Sequence, residues 1–305
     1  MTKVAPFRLT PYFSERIWGK QDLRPWYEST GTKELVGEAW LTGPDCVIET
    51  GEFVGRSLAS VVKELGAAVI GPNGDGEFPL LVKILFPNEK LSVQVHPDDA
   101  HAQAMGQPRG KTECWYVLEA EPGATVALGL KPGVGEAELR ASVADNTMEE
   151  LLNHVPVAEG DMVFVDAGTV HAIEPGVVLL ETQQTSDVTF RLYDYGRPRP
   201  LHLEQGIGVM KTQTKAGKVA PRSIDGFTRL IEEKYFSVDR FDLAGGSLTV
   251  PMEGAGCLVG LKGSGTVAGV ELKAGQAVVV PVGSGGVVVE AEAKFSFARC
   301  LSPLS

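Results

Sequence analysis

Two stretches of the chain repeat one pattern, and that repeat limits the folds open to it. EGDMVFVDAGTVHAI (Glu159–Ile173) aligns with AGQAVVVPVGSGGVVV (Ala274–Val289) when Gly160 is placed on Gly275. Asp166 then falls on Pro281, Gly168 on Gly283 and His171 on Gly286. Each copy reads as strand, tight glycine turn, strand. A single hairpin is marginal in water, so the pattern predicts a duplicated β unit whose copies bury their apolar faces in larger sheets. Only the first copy keeps an imidazole, which places any histidine chemistry in the first unit.

The rest of the chain agrees with a mainly β fold. FPLLVKILF, KLSVQV, ECWYVLE, ATVALGL, GVVLLETQQ and VTFRLYDYG are short β-rich runs, and the 36 glycines and 19 prolines punctuate them. Helical spacing predicts a helix within Gly55–Gly71 and a small helical excursion over Gly135–Val155. The polar stretch KTQTKAGKVAPRS (Lys211–Ser223) suggests a boundary. The expected organisation is a catalytic unit over residues 1–215, with the excursion at 135–155, and a degenerate β unit over 216–305.

Composition removes several classes of partner. The formal charge of −11 argues against nucleic acid, which is usually met by a basic stripe. An anionic small molecule would need a local positive pocket. Cys46, Cys114, Cys257 and Cys300 are too far apart in sequence for a CxxC pair and read as buried thiols. The N-terminus lacks the apolar core of a signal peptide, and no run approaches the roughly 18 apolar residues of a membrane span. A cytoplasmic protein with no membrane partner is expected.

LSVQVHPDDAHA (Leu91–Ala102) is the stretch that points to chemistry. Gln94 and His96 are two apart, so both project from one face of a strand. Glu113 opens the next strand, and His171 follows the glycine turn of the repeat. Two imidazoles, a carboxylate and an amide can hold a transition-metal ion with a position left open. Each also has an ordinary reading: a polar histidine at a strand end, a surface carboxylate, a hydrogen-bonded core amide. His101, His154 and His202 sit beside loops and are read as such ordinary residues. KGSGTVAGV (Lys262–Val270) is glycine-rich, but no helix follows it, so a β turn is expected rather than a phosphate loop.

The spacing of the four candidate ligands resembles the metal motifs of cupins. LVKILFPNEKLSVQVHPDDAHA, GKTECWYVL, AGTVHAI and ETQQTSDVTFRLYDYGRP, in this order, together resemble the type I mannose-6-phosphate isomerases, in particular the short bacterial form. GEAWLTG (Gly37–Gly43) is similar to that family's N-terminal segment. The resemblance implies two cupin-like β-barrel or jelly-roll units. It implies one Zn²⁺ per chain on Gln94, His96, Glu113 and His171, and a sugar phosphate as substrate. It places Arg191 and Lys111 in the reacting pocket, Ser92 and Lys83 near the phosphate, and Glu181 and Asp187 among acidic groups for proton transfer. Gly110 stands where longer members carry a histidine, and Asp166 where the cupin pattern has proline. The implied reaction interconverts mannose 6-phosphate and fructose 6-phosphate through an enediolate. A base must move a proton between adjacent carbons, and Lys111, Glu181 and Asp187 all remain candidates; the lysine would need a lowered pKa. A cupin Fe(II) oxygenase or a non-catalytic sugar-phosphate-binding protein are the alternatives.

Overall fold

A computed structural model describes residues 4–72 and 74–303. It is mainly β, with antiparallel strand pairing within four sheets. Their stacking follows from which face each residue supplies. A seven-stranded sheet contains Val36–Trp40, Leu80–Leu85, Glu113–Ala120, Met162–Val165 and Val177–Gln184. On one side it meets a five-stranded sheet that includes Val93–Val95, His171–Ile173 and Phe190–Tyr193. Its other side meets an eight-stranded sheet, and a four-stranded sheet including Gly285–Ala291 closes the far side of that one. Among the described residues none of the four sheets closes on itself, so of the barrel and jelly-roll forms expected the closed barrel is not formed.

Burial on both faces explains the central strands. In Glu113–Ala120, Cys114 and Tyr116 pack into the core shared with the eight-stranded sheet, while Trp115 and Val117 pack toward the five-stranded sheet. Leu80, Val82 and Ile84 likewise face the first core. Each such fully buried aliphatic side chain contributes about 1.5–3 kcal/mol by leaving water. The alternation leaves Lys83 pointing the other way, toward the interior between the seven- and five-stranded sheets.

The repeat is visible in the backbone. Met162–Val165 and Ala277–Val280 are the strands between its glycines. Gly160 and Gly275 have φ of 90° and 80°, and Gly168 and Gly283 have 93° and 86°, a region where any Cβ is strained. Val165 pairs with Glu113, and Val280 pairs with Gly256. The second unit therefore carries Gly256 at the position of Glu113, as it carries Gly286 at that of His171. Following the registers outward, the cross-strand pair Lys83 and Glu181 corresponds to Asp239 and Arg299, with the charges exchanged. Arg299 Nη2 lies 2.6 Å from Asp239 Oδ2, and both are buried. Around them Phe241, Val250, Leu258 and Phe297 fill the interior of that unit.

Some local expectations change. Gly66, at φ 46°, divides the predicted first helix into Leu58–Leu65 and Ala67–Ile70. The excursion is helical over Glu136–Asp145 and Met148–Leu151, but its end, Leu152–Pro156, is a strand paired with Thr125–Leu130. Asp99–Ala104 is a short helix, capped by the Asp98 carboxylate, rather than open loop. The glycine-rich Lys262–Val270 includes a tight hairpin turn between Ser264–Val267 and Val270–Lys273, as expected. Two strands cross the division expected near residue 215: Phe7–Thr10 pairs with Ala277–Val280, and Gly217–Val219 pairs with Met162–Val165.

Candidate metal centre

His171 is the register partner of Gln94, and Gln94 of Arg191, so these three residues form a row across three strands of the five-stranded sheet. Directly opposed residues of antiparallel strands present side chains to one face. Glu113 comes from the facing seven-stranded sheet. His96, Glu113 and His171 are buried, and one ligand atom from each lies within 4.8 Å of the others. His171 Nε2 is 3.4 Å from Glu113 Oε1, and His96 Nε2 is 3.7 Å from Glu113 Oε2. Gln94 Nε2 lies 3.3 Å from His171 Nε2, which brings the fourth candidate to the same point.

The surroundings set the imidazoles for coordination. His96 Nδ1 lies 2.9 Å from the Val188 carbonyl and His171 Nδ1 2.9 Å from that of Thr169. A carbonyl only accepts, so each Nδ1 carries the proton and each Nε2 presents a lone pair inward. Burial, with the Lys111 ammonium beside it, holds His96 well below the ordinary imidazole range, and burial pulls His171 down to about 4. Both are neutral near pH 7, as a ligand must be. Both oxygens of Glu113 are buried; Oε1 meets no hydrogen-bond donor, and Oε2 is met by the Lys111 ammonium at 2.7 Å. A buried carboxylate oxygen left without a donor is costly; Oε1, beside the inward lone pair of His171, fits a divalent cation.

The neutral His171 has a consequence for the metal-free protein. Its folded pKa of about 4 lies below the roughly 6.5 of an unfolded histidine. Between those values the unfolded chain takes up a proton that the folded chain refuses, so acidification favours unfolding. Metal-stripped protein should lose about 3 kcal/mol from this group between pH 7 and pH 4. Urea unfolding across that range would measure it, and a His171→Gln variant should show a correspondingly shallower slope.

Lys83 sits in a second row, with Trp115 and Glu181 on one side and Trp40 on the other. Its ammonium is 3.3 Å from Glu181 Oε1, 3.8 Å from Glu38 Oε2 and 5.1 Å from the centre of the Trp40 ring. Trp115 Nε1 donates to Glu181 Oε2 at 3.2 Å, and Trp40 Nε1 donates to Glu38 at 2.6 Å. Burial and the nearby Glu113 charge raise the Glu181 pKa. Despite its burial, the Glu38 carboxyl is held down to about 2 by Lys83 and Arg16. Removing one partner of a buried ion pair strands the other, at about 3–5 kcal/mol. Lys83→Met should therefore lower the urea midpoint by a corresponding amount, a loss that an exposed lysine would not cause.

Lys111 Nζ lies 2.7 Å from Glu113 Oε2 and 3.1 Å from His96 Nε2. Burial lowers its pKa, but the Glu113 and Glu181 carboxylates outweigh burial and the net shift is upward. The lysine is therefore charged in this arrangement, opposite to the lowered pKa that a lysine base requires. Ser92 Oγ is 3.4 Å from Gln94 Oε1, at the edge of the same row. Asp187 is exposed in the loop before Phe190. Its charge acts on Lys111, and the ion pair of Arg191 is with Asp194, 3.9 Å from Nε, rather than with Asp187. Arg191 Nη1 donates to the Pro200 carbonyl at 2.9 Å, while its buried Nε meets no hydrogen-bond acceptor. A Cβ on Gly110 would lie 2.4 Å from the Pro97 carbonyl oxygen, so the position has no room for a side chain.

His101, His154 and His202 stand outside the metal group. His101 and His154 pair with Asp98 and Glu174, and His202 Nδ1 accepts the Arg191 amide at 3.2 Å. The sequence reading gave no role to Glu38 or Trp40. Their signal was present in GEAW: a carboxylate and an indole two residues apart, the spacing that singled out Gln94 and His96.

A family model described as the catalytic domain of type I phosphomannose isomerase matches residues 6–129, which include Gln94, His96 and Glu113. The mannose-6-phosphate isomerase of Streptococcus mutans is 37% identical over 254 residues, covering 79% of this chain and 79% of that relative. The crystal structure of the mannose 6-phosphate isomerase from Bacillus subtilis aligns with a TM-score of 0.86 at 29% identity, covering 97% of this chain and 99% of that one. A mannose 6-phosphate isomerase bound with zinc and yttrium shares the fold at a TM-score of 0.78 and 20% identity, covering 99% of this chain and all of that one.

Proposed function

The chain belongs to the type I phosphomannose isomerase family, and on that premise we propose that it interconverts mannose 6-phosphate and fructose 6-phosphate at the His96, Glu113 and His171 centre. The observation that carries the reading is this buried group, with both imidazoles neutral and one carboxylate oxygen, Glu113 Oε1, left without a donor. Zinc is the metal we assign, held by those three residues and by Gln94 through its amide oxygen. Bound there, it supplies a Lewis acid for the charge that develops on two substrate oxygens.

The chain's own groups do the rest. Isomerisation moves a proton between adjacent carbons through an enediolate. Arg191, in the row with Gln94 and His171, offers a permanently charged donor to the developing negative oxygen. Lys111, charged and next to Glu113 and His96, suits donation to an oxygen better than proton removal. Glu181, with its raised pKa, and the exposed Asp187 remain the carboxylates proposed for proton transfer. Ser92 and Lys83 are assigned to the phosphate end, where binding energy positions the reacting carbons. Since Lys83 already faces Glu181 and Glu38, its contact with a phosphate dianion requires sharing the ammonium among them. Lys83→Ala should then raise KM for the phosphorylated sugar more than it lowers kcat, read in steady-state assays alongside the stability loss described above.

The two-unit description, with cupin-like units over 1–215 and 216–305, is part of this proposal. It is supported by the paired glycines of the repeat and the matched strand registers. A cytoplasmic location is also proposed; among the described residues no helix is long and apolar enough to cross a membrane. A coupled assay following fructose 6-phosphate formation from mannose 6-phosphate tests the function directly.

A further inference from the structure

Three consecutive backbone amides around Lys111 each donate to a different acceptor. Gly110 N–H donates to Asp99 Oδ1 at 3.0 Å, Lys111 N–H to the Pro97 carbonyl at 3.0 Å and Thr112 N–H to Gln184 Oε1 at 3.0 Å. Gln184 is itself held, because its Nε2 donates to the same Asp99 Oδ1 at 3.0 Å. The other carboxylate oxygen of Asp99 accepts a 2.6 Å hydrogen bond from Tyr235 Oη, and Lys234 Nζ lies 3.8 Å from it. Asp99 therefore grips the backbone before Lys111 directly, and the backbone after it through Gln184. The helix start does not require this carboxylate, since Asp98 supplies the cap.

The contact is close. A Cβ on Gly110 would lie 2.5 Å from the Asp98 carbonyl carbon as well as 2.4 Å from the Pro97 oxygen. The segment entering Lys111 is thus pressed against the segment leaving His96, and these two side chains meet at 3.1 Å. Tyr235 approaches from the other side of the molecule, in the turn between Phe227–Glu232 and Ser237–Leu243.

We propose that Asp99 is a positioning residue for Lys111, and that Tyr235, supplied by the C-terminal unit, holds Asp99 in place. This rests on the reading of Lys111 as a group of the reacting pocket. It gives the unit that lacks His171 and Glu113 counterparts a part in the chemistry of the other. The physical reason is geometric: a shift near 1 Å in a catalytic group costs up to about 10²-fold in rate, whereas remote substrate binding is little affected.

The test is steady-state kinetics on zinc-loaded protein carrying Asp99→Ala, Asp99→Asn, Tyr235→Phe, Lys111→Met, and Asp99→Ala with Lys111→Met. Asp99→Ala should lower kcat about tenfold or more, with KM within about twofold and one zinc per chain retained. Asp99→Asn should recover most of that loss, because its carbonyl oxygen can take the Gly110 and Gln184 donors and its amide can donate to the Tyr235 hydroxyl. Tyr235→Phe, which removes one hydroxyl and little packing, should lower kcat about threefold. The double variant should be no slower than Lys111→Met alone, as expected of residues acting through one another. Wild-type kcat in both Asp99→Ala and Tyr235→Phe, with Lys111→Met impaired, would overturn the positioning role and leave Lys111 in the pocket. Wild-type kcat in Lys111→Met would instead overturn the reading beneath it. Should Asp99→Ala fail to fold, unchanged kcat in Tyr235→Phe overturns the proposal by itself.

Discussion

His171→Ala should remove the zinc and the isomerase activity together. His171 closes the ligand group from the five-stranded sheet, with its Nε2 3.4 Å from Glu113 Oε1. The Thr169 carbonyl fixes its proton on the far nitrogen, so alanine removes an inward lone pair that no neighbour replaces. The loss of Lewis-acid stabilisation is worth several kcal/mol, so kcat/KM should fall about 10³-fold or more. Metal analysis after gel filtration should give well under one zinc per chain. Undiminished zinc in both His171→Ala and His96→Ala would remove these residues from the centre. The C-terminal unit offers no second chance, because Gly256 and Gly286 stand at the positions of the carboxylate and the imidazole.

Arg191→Ala should produce the other large effect, and a different kinetic pattern. Arg191 lies in the row of Gln94 and His171, and its buried Nε has no acceptor. If the guanidinium serves charge that develops only during reaction, its loss lowers kcat and leaves KM nearly unchanged. A single preorganised donor of this kind is worth about 10²–10³ in rate. Arg191→Lys keeps a charge but not the planar fork and should recover activity only in part. A raised KM with wild-type kcat would make the arginine a binding group and reverse the two ends of the pocket.

The parts of this site that could be read from the sequence were those carried by local spacing. Gln94 and His96 share a strand face because they are two residues apart, and the glycines of the repeat mark turns that only a residue tolerant of positive φ fills. The internal alignment already showed Gly286 in place of His171. The loss of the carboxylate was hidden, because matching Gly256 to Glu113 needs the strand registers. Glu38 and Asp99 were missed for a related reason. Their roles come from partners distant in sequence, Lys83 for one and Tyr235 for the other. The charge on Lys111 was not legible because burial alone lowers a lysine pKa, while Glu113 two residues on and Glu181, brought by another strand, raise it further. The family resemblance implied barrel or jelly-roll units; alternation in the sequence fixes faces rather than sheet edges, and these sheets stay open.

The central claim is that one metal at the His96, Glu113 and His171 centre supports aldose–ketose isomerisation of a phosphorylated sugar. The most direct measurement is the coupled assay on mannose 6-phosphate with protein stripped of metal and then titrated with zinc. Turnover should vanish on stripping, return in proportion to added zinc and saturate near one equivalent per chain. Full turnover by the stripped protein, or none by the protein carrying one zinc per chain, would contradict the account.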